Sequence, residues 1–141
     1  MRAFVAEGKS PITKFSIVIP ARNEAANIEA CIAGILAQNY PTHLFEVIVI
    51  DDFSDDETAN IVASLALQHN NVRLLRLQDF TKDENIIAYK KRAIEIAIEQ
   101  AHHPWIVTTD ADCHFTNNWL ASYDAYLQEP VSYTHLTLPT K

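Results

Sequence analysis

Glycine is nearly missing from this chain: Gly8 and Gly34 are the only two in 141 residues. The G-x-G-x-x-G dinucleotide fingerprint and the Walker phosphate loop both need several closely spaced glycines, which let the backbone approach a phosphate. Neither is present, so a nucleotide bound here is bound another way. Cysteine is almost as scarce. Cys31 falls in an expected helix and Cys113 just after an acidic pair, at spacings that fit neither a zinc site nor a redox motif. Both are read as reduced, packed thiols. No apolar run approaches the roughly 20 residues of a membrane-spanning helix. Met1 to Lys14 has no continuous apolar stretch of the signal-peptide kind, so the expected location is cytoplasmic. Basic residues are outnumbered, 11 Lys and Arg against 18 Asp and Glu, for a net charge of -7. That balance argues against a nucleic-acid surface, which Lys and Arg mainly hold, and suits a protein that recruits a cation.

What is there is ordinary globular material, 48% hydrophobic and 21% charged, long enough for one domain with a real core. Phe15 to Ile19 is a β-branched run stopped by Pro20, which reads as a buried strand. A helix is expected next, capped by Asn23 with Glu24 at its positive end, and with Ile28, Cys31, Ile32, Ile35 and Leu36 on one face. Tyr40-Pro41 closes it. Phe45 to Ile50 is a second strand that delivers Asp51 and Asp52 at its C-terminal end. Ser54 and Glu57 make a capping-box pattern for a second helix with Ile61, Val62 and Leu65 inward. Val72 to Leu77 is a third strand, 81–85 a polar loop, and 88–101 a third helix with Ile94, Ala97, Ile98 and Ala101 on its apolar face. A fourth strand ends at Thr109, and Asn117 or Asn118 caps a last helix carrying Trp119, Leu120, Tyr123 and Leu127. The alternation implies an α/β fold, a mainly parallel sheet with helices on both faces. Ligands of such sheets bind outside the carboxyl ends of the strands, where Pro20 to Glu24, Asp51-Asp52 and Asp110 to Asp112 all fall.

The last of these clusters is the most telling. Trp105 to Thr109 runs straight into Asp110-Ala111-Asp112. In extended backbone, residues two apart share a side, so both carboxylates can present hard oxygens together. Mg²⁺ or Mn²⁺ takes one or two carboxylates and leaves its other positions to water and phosphate oxygens. The pair therefore suits a bound diphosphate better than a closed metal cage. Cys113 and His114 beside the acids invite a zinc reading, which their adjacent turn positions disfavour. His102 and His103, at a helix end, are expected to meet the terminal carbonyls.

Ser16 to Glu24 (SIVIPARNE), Val49 to Asp56 (VIDDFSDD) and Thr109 to Asp112 (TDAD) together resemble, in order and spacing, the blocks of glycosyltransferase family 2, over about residues 14 to 129. The resemblance implies a Rossmann-like nucleotide-diphospho-sugar transferase (GT-A) fold, truncated here, with 1–130 as its N-terminal nucleotide-sugar-binding part. It implies that Pro20, Ala21, Arg22 and Glu24 line the nucleotide pocket and that Asp52, with Asp51, accepts hydrogen bonds from the base or ribose. Lys90 would lie near the diphosphate, although Tyr89 stands where the family commonly has glycine. Asp110 and Asp112 would bind Mn²⁺ or Mg²⁺, Asp112 as the direct ligand and Asp110 nearer the ribose or sugar, with Ala111 between them in the donor site. The implied partner is a nucleotide-diphospho-sugar, UDP-linked by default. The implied reaction is metal-dependent, inverting transfer to an acceptor hydroxyl of a glycan, lipid or protein, in cell-envelope polysaccharide synthesis. No catalytic base is visible. In the family that carboxylate comes from the portion after the Asp-x-Asp strand, so donor and metal binding with negligible transfer is expected.

Other readings stay open at this point. Val49 to Asp52 is similar to the acidic pair of a signalling receiver domain, with a later strand-end Asp taking phosphate. A whole strand-helix unit ahead of the pair, and no later strand-end lysine, weigh against that. A nucleotide-sugar-binding module without catalysis is the third reading. Residue by residue, Asp51-Asp52 read alone is a solvated turn, Arg22 with Glu24 an exposed pair, and Lys90, Lys91 and Arg92 a solvated helical face.

Val131 to Lys141 drops the acidic, alanine-rich character of what precedes it and resembles a translated sequencing-adapter read-through. Native sequence is expected to stop near Pro130. Independent resequencing of the locus should replace this tail with continuing coding sequence; recovery of the same tail with a stop after Lys141 would overturn the expectation.

Overall fold

The four apolar runs become four strands, and the computed structural model, which describes residues 10–81 and 89–129, joins them in one sheet. Most of the expected loop 81–85, the first position of the expected third helix and the tail 131–141 lie outside the described residues. In chain order the elements are β1 (Phe15–Ala21), α1 (Ile28–Leu36), β2 (Phe45–Asp51), α2 (Thr58–Gln68), β3 (Val72–Arg76), α3 (Tyr89–Gln100), β4 (Trp105–Thr108) and α4 (Trp119–Gln128), with 3₁₀ turns at Thr42–Leu44 and Leu77–Asp79. The strand order is β3-β2-β1-β4, and every pairing is parallel. The chain steps outward from β1 through β2 to β3, then returns to the far side of β1. Parallel crossovers are right-handed, so reversing the direction moves the connecting helix to the opposite face. Accordingly Ile17, Ile19, Val47 and Val49 pack with α1, α2 and α4, while Val18, Ile48, Ile50 and Ile106 pack with Ala93, Ile96 and Ala97 of α3. β2 is buried at every position, as a strand covered on both faces must be. Among the described residues, no helix is long and apolar enough to cross a membrane.

The α/β expectation holds, and the corrections lie at the ends of elements. α1 begins at Ile28, because Asn23 takes a left-handed backbone (φ 53°) and its side chain is used elsewhere. The capping box does not form: Glu57 stands at the N-cap of α2 without a side-chain capping bond, and Asp56 Oδ1 accepts from the Thr58 N–H at 2.9 Å instead. β3 stops at Arg76 because Leu77 opens a 3₁₀ turn, and β4 stops at Thr108. In α3 the buried stripe is Ala93, Ile96 and Ala97, with Ile94 only half-buried. Small alanines let the helix approach the sheet, which rotates the expected stripe.

One buried acid ties the N-terminal end of the sheet. Glu46 of β2 accepts from Ser16 Oγ of β1 (2.6 Å), from Arg73 Nη1 of β3 (3.0 Å) and from the His102 backbone N–H ahead of β4 (2.6 Å). A single carboxylate thus joins all four strands. His102 and His103 do not serve the helix carbonyls as expected. The His103 N–H donates to Ser16 Oγ (3.2 Å), and His102 Nδ1 lies 3.4 Å from Glu46 Oε1, because a buried carboxylate needs donors that water would otherwise supply. Burial pushes the Glu46 carboxyl up, but the bonds from Ser16, the His102 N–H and Arg73 outweigh it and hold the group below the ordinary glutamate value. A depressed folded-state pKa contributes stability that is present above the unfolded value and lost as pH falls through the folded one. Glu46→Gln is expected to cost about 2 kcal/mol at neutral pH and to make acid denaturation shallower. Equal acid sensitivity of variant and parent in a urea titration series would show that Glu46 is not the linked group.

Candidate functional site

The sheet opens where β4 gives out. β1 pairs with β2 as far as Ala21 with Asp51, but with β4 only as far as Val18 with Thr108. The Thr109 N–H still donates to Val18 O at 3.0 Å, and beyond that β1 has β2 alone. Pro20, two residues after Val18, turns its missing donor toward the β4 side, past the last pair, so a proline is tolerated in a central strand. This is also the point where strand order reverses, the crevice in which such sheets bind ligands. A cleft of about 300 Å³ lies here, lined by Pro20, Ala21, Arg22, Glu24, Asp52, Lys90, Asp110, Ala111 and Asp112. These are the candidate residues named from the sequence, with one exception: Asp51 is 2% exposed and is not among the lining residues. A second cleft, about 360 Å³, lies at the other end of the sheet around Glu46, whose carboxylate is already spent on the fold.

The two loops that carry the acids are laced together. The Asn23 N–H donates to Ser54 Oγ (2.9 Å), and Asn23 Oδ1 accepts from the Asp55 N–H (2.7 Å). The Glu24 N–H donates to Thr58 Oγ1 (2.9 Å), and the Ala25 N–H to Asp56 Oδ2 (3.2 Å). The Asp52 N–H donates to Ala21 O at 2.8 Å. Asn23 tolerates the left-handed backbone that this exchange requires. Phe53 also takes φ 55°, unfavourable for a bulky side chain. Its ring packs 5.3 Å from that of Tyr89, which pins the loop after Asp52 to the start of α3. Sequence reasoning assigned Ser54 and Asn23 to helix caps and missed this lacing, because the bonds join residues about 30 apart that only strand pairing brings together.

Electrostatically the cleft is unbalanced. Asp51 Oδ1 and Asp52 Oδ1 are buried without a hydrogen-bond partner. Asp52 titrates above the ordinary aspartate value: burial is the main cause, Arg22 opposes it, and Asp51 adds to it. Buried acceptors normally find donors, so two orphaned oxygens behind a cleft mark a place built for something else. Opposite them, Lys90 Nζ lies 3.1 Å from Asp110 Oδ1, both side chains well exposed. Asp110, Asp112 and Cys113 place ligand atoms within 4.8 Å of one another, a donor set of two hard carboxylates that fits Mg²⁺ or Mn²⁺. Cys113 is therefore a half-buried neighbour of the acids, not a packed thiol, and His114 is not part of the group. Cys31 is the packed one. Its Sγ donates to Asp110 O at 3.7 Å, and burial, with the charges of Cys113, Asp112 and Glu24, pushes its thiol up to about 11.

A family model described as Glycosyl transferase family 2 matches residues 16–137, a span that runs into the tail set apart above. Glycosyltransferase AglE of Haloferax volcanii is 32% identical over 105 residues, 74% of this chain and 32% of that protein. The poly(ribitol-phosphate) beta-N-acetylglucosaminyltransferase TarS of Staphylococcus aureus is 26% identical over 116 residues, 82% of this chain and 19% of that protein. Among solved structures, the mannosyltransferase PcManGT from Pyrobaculum calidifontis, in complex with GDP-Man and Mn²⁺, has a TM-score of 0.70 at 27% identity, covering 92% of this chain and 36% of that one. TarS in complex with UDP-GlcNAc has a TM-score of 0.67 at 25% identity, covering 82% of this chain and 31% of that one. The chain spans about a third and about a fifth of the length of these two curated relatives.

The orphaned acid sets stability against binding. A carboxyl with a raised folded-state pKa contributes stability that is present below its unfolded value and lost as pH rises through the folded one. Asp52→Asn is therefore expected to match the parent in acid and to exceed it at neutral pH by about 1 kcal/mol, a rise of a few degrees in Tm. Thermal melts across pH check this, and a variant no more stable than the parent at neutral pH would refute it.

Proposed function

This chain belongs to glycosyl transferase family 2, and on that premise we propose that it is the donor-binding part of an enzyme that moves a sugar from a nucleotide-diphospho-sugar to an acceptor hydroxyl. One observation carries the reading: a buried acid with an orphaned oxygen, Asp52, shares a single cleft with Arg22, Lys90 and the Asp110–Asp112 pair at the reversal of strand order. Asp52, backed by Asp51, accepts from the N–H and O–H groups of base and ribose, donors that its orphaned oxygen lacks in the protein. Pro20 and Ala21 form the wall against which the nucleoside lies, and Arg22 and Lys90 face the diphosphate. Asp110 and Asp112 would hold Mn²⁺ or Mg²⁺, which when bound offsets charge on the departing nucleoside diphosphate.

The proposed donor is a UDP-linked sugar and the proposed outcome is inversion. The acceptor hydroxyl must lose a proton to a base as it attacks, and the residues around this cleft are committed to the donor. The base and acceptor site are assigned to protein beyond this chain, so the chain itself binds donor and transfers little. Two relatives are named as a poly(ribitol-phosphate) beta-N-acetylglucosaminyltransferase and a beta-monoglucosyldiacylglycerol synthase, which supports a polymer or lipid as the acceptor class. The receiver-domain alternative loses its basis: β1 and α1 precede the acidic pair, and Lys90 comes from a helix.

Calorimetric titration of UDP in the presence of Mn²⁺ tests the reading. Binding is expected with metal and should weaken at least about tenfold without metal or in Asp112→Ala. UDP affinity that ignores both changes would defeat the assignment of the pair.

A further inference from the structure

Lys90 sits on a carboxylate that the proposed function gives to a metal. Its ammonium lies 3.1 Å from Asp110 Oδ1, and Asp110 shares both the cleft and the ligand-atom cluster with Asp112. An ammonium and a divalent cation cannot both occupy that oxygen closely, because like charges there repel at short range. We propose that Lys90 is an exchangeable counter-cation: it neutralises Asp110 while the cleft is empty, and it swings to the diphosphate when the nucleotide arrives, releasing Asp110 to the metal. This inference rests on the donor-site reading and adds a coupling to it.

The geometry permits the exchange. Lys90 is 66% and Asp110 63% exposed in their side chains, so neither is locked by packing. An exposed pair of this kind is weak enough to be broken by a better partner, and a diphosphate offers several charged oxygens to the same flexible ammonium. The position of Lys90 is nevertheless set, because the preceding residue, Tyr89, packs against Phe53 in the loop after Asp52. Lys90 is thus held within reach of both the acid pair and the cleft. Metal alone must displace Lys90 and so binds weakly; metal with diphosphate finds Asp110 already vacated. By linkage, nucleotide raises metal affinity by the same factor as metal raises nucleotide affinity.

The test is Mn²⁺ binding to the 141-residue chain, read from the paramagnetic resonance signal of free Mn²⁺, without nucleotide and with saturating UDP. Lys90→Met is expected to tighten Mn²⁺ about two- to fivefold without UDP, the scale of one exposed ion pair, and to lower the factor by which UDP enhances Mn²⁺ binding by about the same two- to fivefold. Lys90→Arg should retain most of that enhancement. Lys91→Met, which removes a neighbouring charge that does not line the cleft, should leave the enhancement unchanged. The two opposite effects of one substitution are the signature, since lost structure would weaken both measurements and lost bulk charge would appear equally in Lys91→Met. Unchanged Mn²⁺ affinity without UDP in Lys90→Met, or undiminished enhancement, overturns the exchange while leaving the donor site standing. A parent chain that takes up Mn²⁺ neither alone nor with UDP overturns both.

Discussion

The early end of β4 is the constraint on which the rest depends. A parallel sheet satisfies its backbone groups strand by strand, and β1, at its centre, would be sealed on both sides if β4 ran as far as β2 does. It pairs with β2 to Ala21 and with β4 only to Val18. Of the three residues of β1 left without a β4 partner, Pro20 and Ala21 line the cleft, and Pro20, which has no donor to lose, occupies the position where a donor would face it. The sharp turn of the chain after Thr108 then carries Asp110 and Asp112 across the gap. Because strand order reverses at the same place, α3 arrives from the opposite face and contributes Lys90. Pocket, acids and cation share one topological cause.

The buried acids at the two ends of β2 show how differently one chemistry can be used. Glu46, near the start of β2, receives donors from three other segments and its carboxyl is held low. Asp51 and Asp52, at the other end, keep oxygens without partners, and Asp52 is held high. The first arrangement stabilises the fold, because a charge taken out of water has its hydration replaced by fixed donors. The second costs stability and is kept in place by the laced loops, whose bonds from Asn23, Glu24 and Ala25 fix the backbone around the orphaned groups. The left-handed backbone at Phe53 belongs to the same economy: local strain tolerated beside a site and offset by ring packing on Tyr89.

Much of this was legible before any coordinates. Runs such as FEVIVID can be little else than a strand covered on both faces, and its acids must then appear at the carboxyl edge. Helix faces were readable from spacing, as Ile28, Cys31, Ile32 and Ile35 demonstrate. Caps were not. Asn23 and Ser54 carry the side chains of helix starters and spend them on each other's loops, because a bond across a paired β1 and β2 competes with a local cap at no extra cost once the strands are joined. His102 and His103 misled for the same reason: the His102 N–H answers the Glu46 carboxylate 56 residues away and the His103 N–H the Ser16 hydroxyl, partners that only strand pairing brings near.

The sequence by itself determined the alternation of strand and helix, the parallel α/β class and the strand ends at which the acids lie, since all of these follow from side-chain period and turn chemistry within a dozen residues. Only the tertiary structure decided which of those ends open into a cleft, which acids go without donors, and which cation stands on Asp110. Those outcomes depend on strand order and on the face each helix takes, and they join residues as distant as Pro20 and Asp112, whose approach is set by packing and not by any local preference of the chain.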